Sequence, residues 1–142
     1  MKQSVSIDID APAARVYEVM SGVEAWPTWT ASIRKVTLLD GGLRVGARAA
    51  VEQPRLPRAV WTVTSLEAGR EFVWEATGPG IHSTAWHTVE ETGPGRSRAT
   101  LSIEQQGPLG ALFGRIYRGL TDRYLALEAA GLKSRSEEPS TR

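Results

Sequence analysis

The stretch PLGALFGRIYRGLTDRYLALEAAGLKSR, residues 108–135, decides how the rest of the chain reads. Pro108 fixes its start and no further proline appears until Pro139, which leaves about seven turns of helix uninterrupted. Stepping about 100° per residue from Leu109, the side chains of Leu109, Leu112, Phe113, Ile116, Leu120, Tyr124 and Leu127 fall within roughly 60° of one line. Arg115, Arg118 and Asp122 fall behind it. Such a stripe predicts one long helix, Pro108 to Arg135, lying along a sheet. One charge breaks the pattern: Arg123 sits about 40° off the line, inside the apolar face.

Upstream, the period changes from helical to alternating. Val5, Ile7 and Ile9 alternate with Ser4, Ser6, Asp8 and Asp10, as in a strand with one buried face. Pro12 suits a helix start, and Val16, Tyr17, Val19 and Met20 supply a short apolar face. A second short helix is expected near Glu24 to Thr30, carrying Trp26 and Trp29. Strands then follow in succession. Val36 and Leu38 share one face, then Ala47, Ala49 and Val51, whose small side chains leave room between sheet and helix. The prolines at 54 and 57 read as an irregular connection or a sheet edge. Trp61 with Val63, then Phe72, Trp74 and Ala76, and finally Ala99, Leu101 and Ile103 continue the alternation. Between Gly78-Pro79-Gly80 and Thr92-Gly93-Pro94-Gly95, one strand places Ile81, Ser83, Ala85, His87 and Val89 on one side and His82, Thr84, Trp86, Thr88 and Glu90 on the other. The first set, with Ile81 and Val89, is read as inward. Six consecutive strands on short turns must be largely antiparallel, so the class is α+β with helices segregated to one face.

With 142 residues, the chain fits one domain, expected over 1–135 with a polar, disordered tail at 136–142. Net charge is +1, from 17 basic and 16 acidic residues that are interspersed, which gives no footprint for nucleic acid or an anionic membrane. There is no cysteine, which excludes disulfides, thiolate catalysis and cysteine-bound metal. Neither a signal peptide nor a run of ~20 apolar residues is present, so a cytoplasmic protein without integral membrane association is expected. No grouping of ligating residues calls for a metal, and no motif calls for a cofactor.

Several motifs in this order resemble a known superfamily. The opening Val5-Ser-Ile-Asp-Ile-Asp-Ala-Pro12, Trp26-Pro-Thr-Trp29, Trp61-Thr-Val-Thr-Ser-Leu-Glu-Ala-Gly69 and Phe72-Val-Trp74-Glu75 are similar to those of the SRPBCC superfamily. That is the helix-grip fold of START domains, birch-type pollen allergens and polyketide cyclases/dehydrases, and the bacterial polyketide cyclase/dehydrase-like group is the nearest. The resemblance covers roughly residues 3–132. It implies a curved antiparallel sheet of about seven strands wrapped on the C-terminal helix, two short helices after the first strand, and an apolar cavity between sheet and helix. Small hydrophobic or amphipathic molecules are the implied ligands: lipid-, polyketide- or aromatic-like. It also implies a cavity mouth near Trp26, Trp29 and the Pro54–Pro57 segment.

On this basis the candidate ligand-binding residues are Trp26, Trp29, Trp61, Phe72, Trp74, His87, Phe113, Tyr117, Leu120, Arg123 and Tyr124. Arg123 reads either as a guanidinium for a ligand carboxylate, enolate or phosphate, or as a side chain that snorkels past the sheet edge or pairs with Glu75 or Glu104. His87 reads either as a cavity acid or base or as a structural histidine. Two functions compete. One is a non-catalytic binding protein. The other is a cyclase/dehydratase in which Arg123 stabilises an enolate while His87 and Tyr117 or Tyr124 move protons. If Arg123 and His87 both project into one cavity the enzyme reading gains, and if either points to solvent it loses its main support. Gly110, Gly114 and Gly119 offer the option of a packing face for a homodimer.

Overall fold

The protein is seen as a computed structural model that describes residues 2–139. Its elements are β1 (Lys2–Ile9), α1 (Ala13–Ser21), a 3-10 turn (Val23–Thr28), β2 (Lys35–Leu38), β3 (Arg48–Glu52), β4 (Ala59–Glu67), β5 (Glu71–Gly78), β6 (Ile81–Gly93), β7 (Arg96–Gln106), α2 (Gly110–Ile116) and α3 (Arg118–Glu137). The seven strands make one curved antiparallel sheet in the order β1-β7-β6-β5-β4-β3-β2, the helix-grip arrangement expected from the sequence. Alternation decides which residues face the helices. Opposed residues on the concave face run Val63–Trp74–Ala85–Ile103 and Phe72–His87–Leu101–Val5 across successive strands. The inward set of β6 is the one that contains His87: Ala85, His87 and Val89 are buried.

Small residues on β3 have a specific consequence. Ala49 lies directly opposite Trp61, and cross-strand neighbours on one face compete for the same space. The alanine leaves that space to the indole, which packs 5.9 Å from the Trp74 ring. Trp26, from the 3-10 turn, completes the cluster from the helix side. It is 4% exposed, its Nε1–H donates to the Met20 carbonyl at 3.0 Å, and its ring meets Trp29, Phe72, Trp74 and His87.

The C-terminal helix departs from expectation. It is two helices, broken at Tyr117, where φ is −100° and ψ is 11°. The glycines at 114 and 119 flank the break, and each costs a helix interior about 1 kcal/mol against alanine. The two pieces also pack differently, α2 on β6 and β7, α3 on β1, α1 and β7. The stripe phased from Leu109 therefore does not continue. Leu109, Leu112 and Ile116 are exposed, and Leu120 and Leu127 are only half-buried. In α3 the buried residues are Tyr124, Leu125, Ala129, Leu132 and Ser136. Measured from Leu125, Arg123 lies about 160° away, and it is exposed.

The far end also differs. Helix α3 continues to Glu137, past the expected domain edge at 135, because its last turn is tied back to the fold. Glu137 Oε2 accepts from the Asp10 N–H at 2.8 Å and from Lys133 Nζ, while Ser136 is buried. Positions 140–142 of the expected tail lie outside the described residues, as does position 1. Gly110 is not available as a dimer face: a Cβ there would lie 3.1 Å from the Gln105 backbone of the same chain.

Candidate ligand cavity

A cavity of about 570 Å³ separates the concave face of the sheet from α2 and α3. Its sheet wall includes Trp61 of β4, Trp74 and Ala76 of β5, and Ser83, Ala85 and His87 of β6. The helix wall is Phe113, Thr121, Tyr124, Leu125 and Glu128, and Trp26 and Ile33 contribute from the turn region. Exposed lining residues, Pro57, Arg58, Val60 and Pro79, mark where it opens. The volume suits a drug-sized or smaller molecule, and the wall is mainly apolar and aromatic with a few polar groups, as small-molecule sites are.

Of the expected ligand-binding residues, Trp26, Trp61, Trp74, His87, Phe113 and Tyr124 line this cavity. Phe72 does not. It stands behind the wall, wholly buried, and stacks on the His87 ring at 4.1 Å between centroids. Trp29 lies against α3 instead, where a Cβ on Gly131 would fall 2.0 Å from the Trp29 carbonyl oxygen. Tyr117 sits at the helix break with its ring 4.5 Å from Phe113, and neither it nor Leu120 reaches the cavity wall. Arg123 is on the solvent side of α3. Trp26, expected beside the mouth, is instead buried in the aromatic cluster.

Two ionisable side chains of the wall are held uncharged by burial. For His87, burial removes water from the charged form and pushes the imidazole down to about 4, against a weaker upward pull from the Phe72 carbonyl. That carbonyl can only accept, so the contact at 3.3 Å places the proton on Nδ1. Nε2 is left as an acceptor with no protein partner among the described residues. Glu128 goes the other way: burial pushes its carboxyl up to about 7, partly offset by the hydroxyl of Ser32. Ser32 Oγ–H donates to Glu128 Oε2 at 3.0 Å, Thr30 and Ser32 share a hydroxyl bond of 2.8 Å, and Gln53 Nε2 donates to the Ser32 carbonyl at 3.3 Å. Both hydroxyl residues are buried. Glu128 Oε1 has no partner among the described residues. Tyr124 is committed elsewhere, its hydroxyl donating to the Pro54 carbonyl.

The helical wheel phased from Leu109 missed Glu128. The signal was present, since Tyr124, Glu128 and Leu132 are spaced four apart and an acid between two buried positions is the anomaly in α3. The other histidine has a different setting. His82 is on the convex face, with Nε2 2.5 Å from Glu75 and Nδ1 2.9 Å from Thr77 Oγ1. That contact, then a hydroxyl of Thr64, holds the Glu75 carboxyl below its usual range. Among the described residues no group of three or more His, Asp or Glu side chains is placed to hold a metal ion, and no helix is long and apolar enough to cross a membrane.

The family of polyketide cyclase / dehydrase and lipid transport proteins matches residues 1–137. The chain belongs to that family. No curated protein matches it in sequence. Among solved structures, the family fold recurs in the ZhuI aromatase/cyclase from Streptomyces sp. R1128, with 15% identity, a TM-score of 0.78 and coverage of 96% of this chain and 93% of that one. Norcoclaurine synthase from Thalictrum flavum, solved in complex with dopamine and hydroxybenzaldehyde, is similar at 16% identity and a TM-score of 0.76, over 100% of this chain and 89% of that one. The di-domain aromatase/cyclase BexL of the BE-7585A biosynthetic pathway matches at 18% identity and a TM-score of 0.71, over 94% of this chain but only 45% of that one. At such identities the likeness concerns the fold, and a fold hosts many functions.

Proposed function

We propose that this family member binds a small hydrophobic or amphipathic molecule in the cavity between its sheet and C-terminal helices. The observation that carries the reading is the cavity itself: about 570 Å³, walled by Trp26, Trp61, Trp74 and Phe113. Filling it with a ring removes apolar surface from water on both partners. The partial solvation of the wall also explains why Glu128, although tied to buried Ser32, is only half-buried: its remaining surface faces the cavity. Titration with 2-naphthylmethanol, followed by calorimetry, should give saturable one-to-one binding. Ala85→Trp, which projects an indole into the cavity from the centre of β6, should abolish it. Absence of binding by the wild type, or unchanged binding by the variant, would refute the assignment.

A second reading, proton-transfer catalysis of the cyclase/dehydratase type, is favoured by one observation. Glu128 and His87, an acid and a hydrogen-bond acceptor, line the same cavity. Of the residues first expected to support it, His87 lines the cavity but two do not: Arg123 is exposed and Tyr117 is off the wall. Exchange of α-protons of 2-tetralone in D2O, followed by NMR, tests it. Exchange faster than buffer that disappears in Glu128→Gln supports catalysis, and exchange at the buffer rate leaves binding as the function.

A further inference from the structure

Resting on the reading of the cavity as a binding site, we propose that its ligand is a cationic amine: a ring seated among Trp26, Trp61 and Trp74, bearing an ammonium group that pairs with Glu128 Oε1. The argument begins with the charge inventory of the wall. Its ionisable members are Glu128 and Tyr124 from α3, His87 from β6, and Arg58 from the loop before β4. Arg58 is exposed at the opening. His87 is neutral, and its Nδ1–H is committed to the Phe72 carbonyl. Tyr124 donates to Pro54. Among the described residues no cation pairs with Glu128, and none of their ion pairs includes it. The interior therefore offers a carboxyl group with nothing to neutralise it. An anionic ligand would oppose ionisation of that carboxyl, and above neutrality would meet a like charge with no guanidinium or ammonium beside it among the described residues. A cationic ligand would supply the missing partner.

The carboxyl is also pre-positioned. Oε2 is fixed by Ser32, Ser32 by Thr30 and by Gln53, so Oε1 is held in place before a ligand arrives. An ammonium has three donors, and Gln53 Oε1 and His87 Nε2 are further cavity acceptors without protein partners among the described residues. Indole faces attract cations, the more so when water is excluded, and Trp61 and Trp74 pack side by side on the wall. Burial alone keeps the empty site protonated near neutrality. An arriving ammonium reverses that preference, so binding of the amine expels a proton from Glu128.

Three probes with one ring system separate the possibilities: 2-naphthylmethylamine, 2-naphthylmethanol and 2-naphthoate, each measured by calorimetry on the full chain near pH 8 and near pH 6. The expected order is amine, alcohol, carboxylate, with the amine at least about tenfold tighter than the alcohol near pH 8, as suits a charge-assisted contact. The advantage should shrink near pH 6, where Glu128 is protonated; His87, titrating near 4, does not contribute in this window. Near pH 6, heats in two buffers of different ionisation enthalpy should reveal close to one proton released per amine bound and none per alcohol. In Glu128→Gln the amine-to-alcohol ratio should fall towards one and proton release should vanish. Alcohol binding equal to or tighter than amine binding in the wild type overturns the amine proposal and leaves the cavity reading standing. So does an amine advantage that survives in Glu128→Gln or does not change with pH. Failure of all three probes overturns both. The wild-type pH series and buffer comparison decide the matter even if the variant does not fold.

Discussion

Replacing Glu128 by glutamine should change the pH dependence of stability in a direction that burial dictates. In the folded protein the Glu128 carboxyl titrates near 7, against an ordinary value of 4.5. Below pH 4.5 the group is protonated in both folded and unfolded chains, and its ionisation contributes nothing. Above pH 4.5 the unfolded chain releases the proton while the folded chain retains it, so stability falls as pH rises. The loss is complete a little above pH 7 and amounts to about 3 kcal/mol. His87 acts in the opposite sense: neutral when folded and titrating near 4 instead of 6.5, it makes stability fall as pH drops from 6.5 to 4, again by about 3 kcal/mol. Between 4.5 and 6.5 the two slopes cancel, and the wild type should show a flat region there. Glu128→Gln removes one slope and exposes the other. Its stability should rise through that interval and exceed its own acid value by up to about 3 kcal/mol near pH 8. Urea unfolding followed by tryptophan fluorescence, at intervals from about pH 4 to about pH 8, gives the curves. The quantity to examine is the difference between variant and wild type. The carboxylates of Asp40, Glu75 and Glu137, lowered by their partners Arg48, His82 and Lys133, contribute equally to both and drop out. A difference constant across pH would refute the desolvation of the Glu128 carboxyl in the cavity wall.

Four further substitutions test the packing. Gly131→Ala should destabilise by about 2 kcal/mol or more, although alanine favours a helix, because the added Cβ meets the Trp29 carbonyl oxygen at 2.0 Å. A neutral or stabilising result in thermal unfolding would place α3 elsewhere. Leu132→Ala should cost about 2–5 kcal/mol, since Leu132 is 1% exposed, whereas Leu120→Ala at a half-buried position should cost about 1 kcal/mol; denaturant midpoints in the reverse order would restore the stripe phased from Leu109. Arg123→Met should leave stability within about 0.5 kcal/mol and probe affinity unchanged, and a loss of calorimetric affinity would show that this side chain reaches the ligand after all.

The sheet was legible because a strand's period is two and one face is buried. Even β6, whose outer face carries Trp86, was oriented by Ile81 and Val89, since a register with His82 and Glu90 inward would bury charge. The sequence also carried the aromatic wall, through Trp61 and Trp74 at inward strand positions. The helix failed for a physical reason. A wheel drawn from Leu109 assumes one axis, and the backbone at Tyr117 resets it. Carried across that break, the phase put Arg123 inside and Glu128 about 100° from the stripe. Drawn from Leu125 instead, it puts Leu132 and Ser136 within about 20°, Ala129 and Thr121 near 40°, Glu128 near 60° and Arg123 opposite. The exposed Leu109, Leu112 and Ile116 made the misleading seed: the first precedes the short helix α2 and the other two lie on it.

The two titrating wall groups also bear on which chemistry the cavity can perform. With Glu128 near 7 and His87 near 4, moving a proton from the acid to the imidazole runs uphill by about 4 kcal/mol. Burial thus disfavours direct proton transfer from Glu128 to His87. His87, with its Nδ1–H fixed on Phe72 and its ring stacked between Phe72 and the cavity, serves as an acceptor that orients a ligand donor, while Glu128 is the one wall group whose proton exchanges near neutral pH. A catalytic reading that assigns the base to His87 and one that assigns it to Glu128 thus differ in outcome. His87→Asn keeps an acceptor but no titrating ring, and it should retain most of any α-proton exchange with 2-tetralone. Glu128→Gln should remove it. Loss in the asparagine variant with survival in the glutamine variant would reverse the assignment, and would require the imidazole to be far more basic than its dry setting permits.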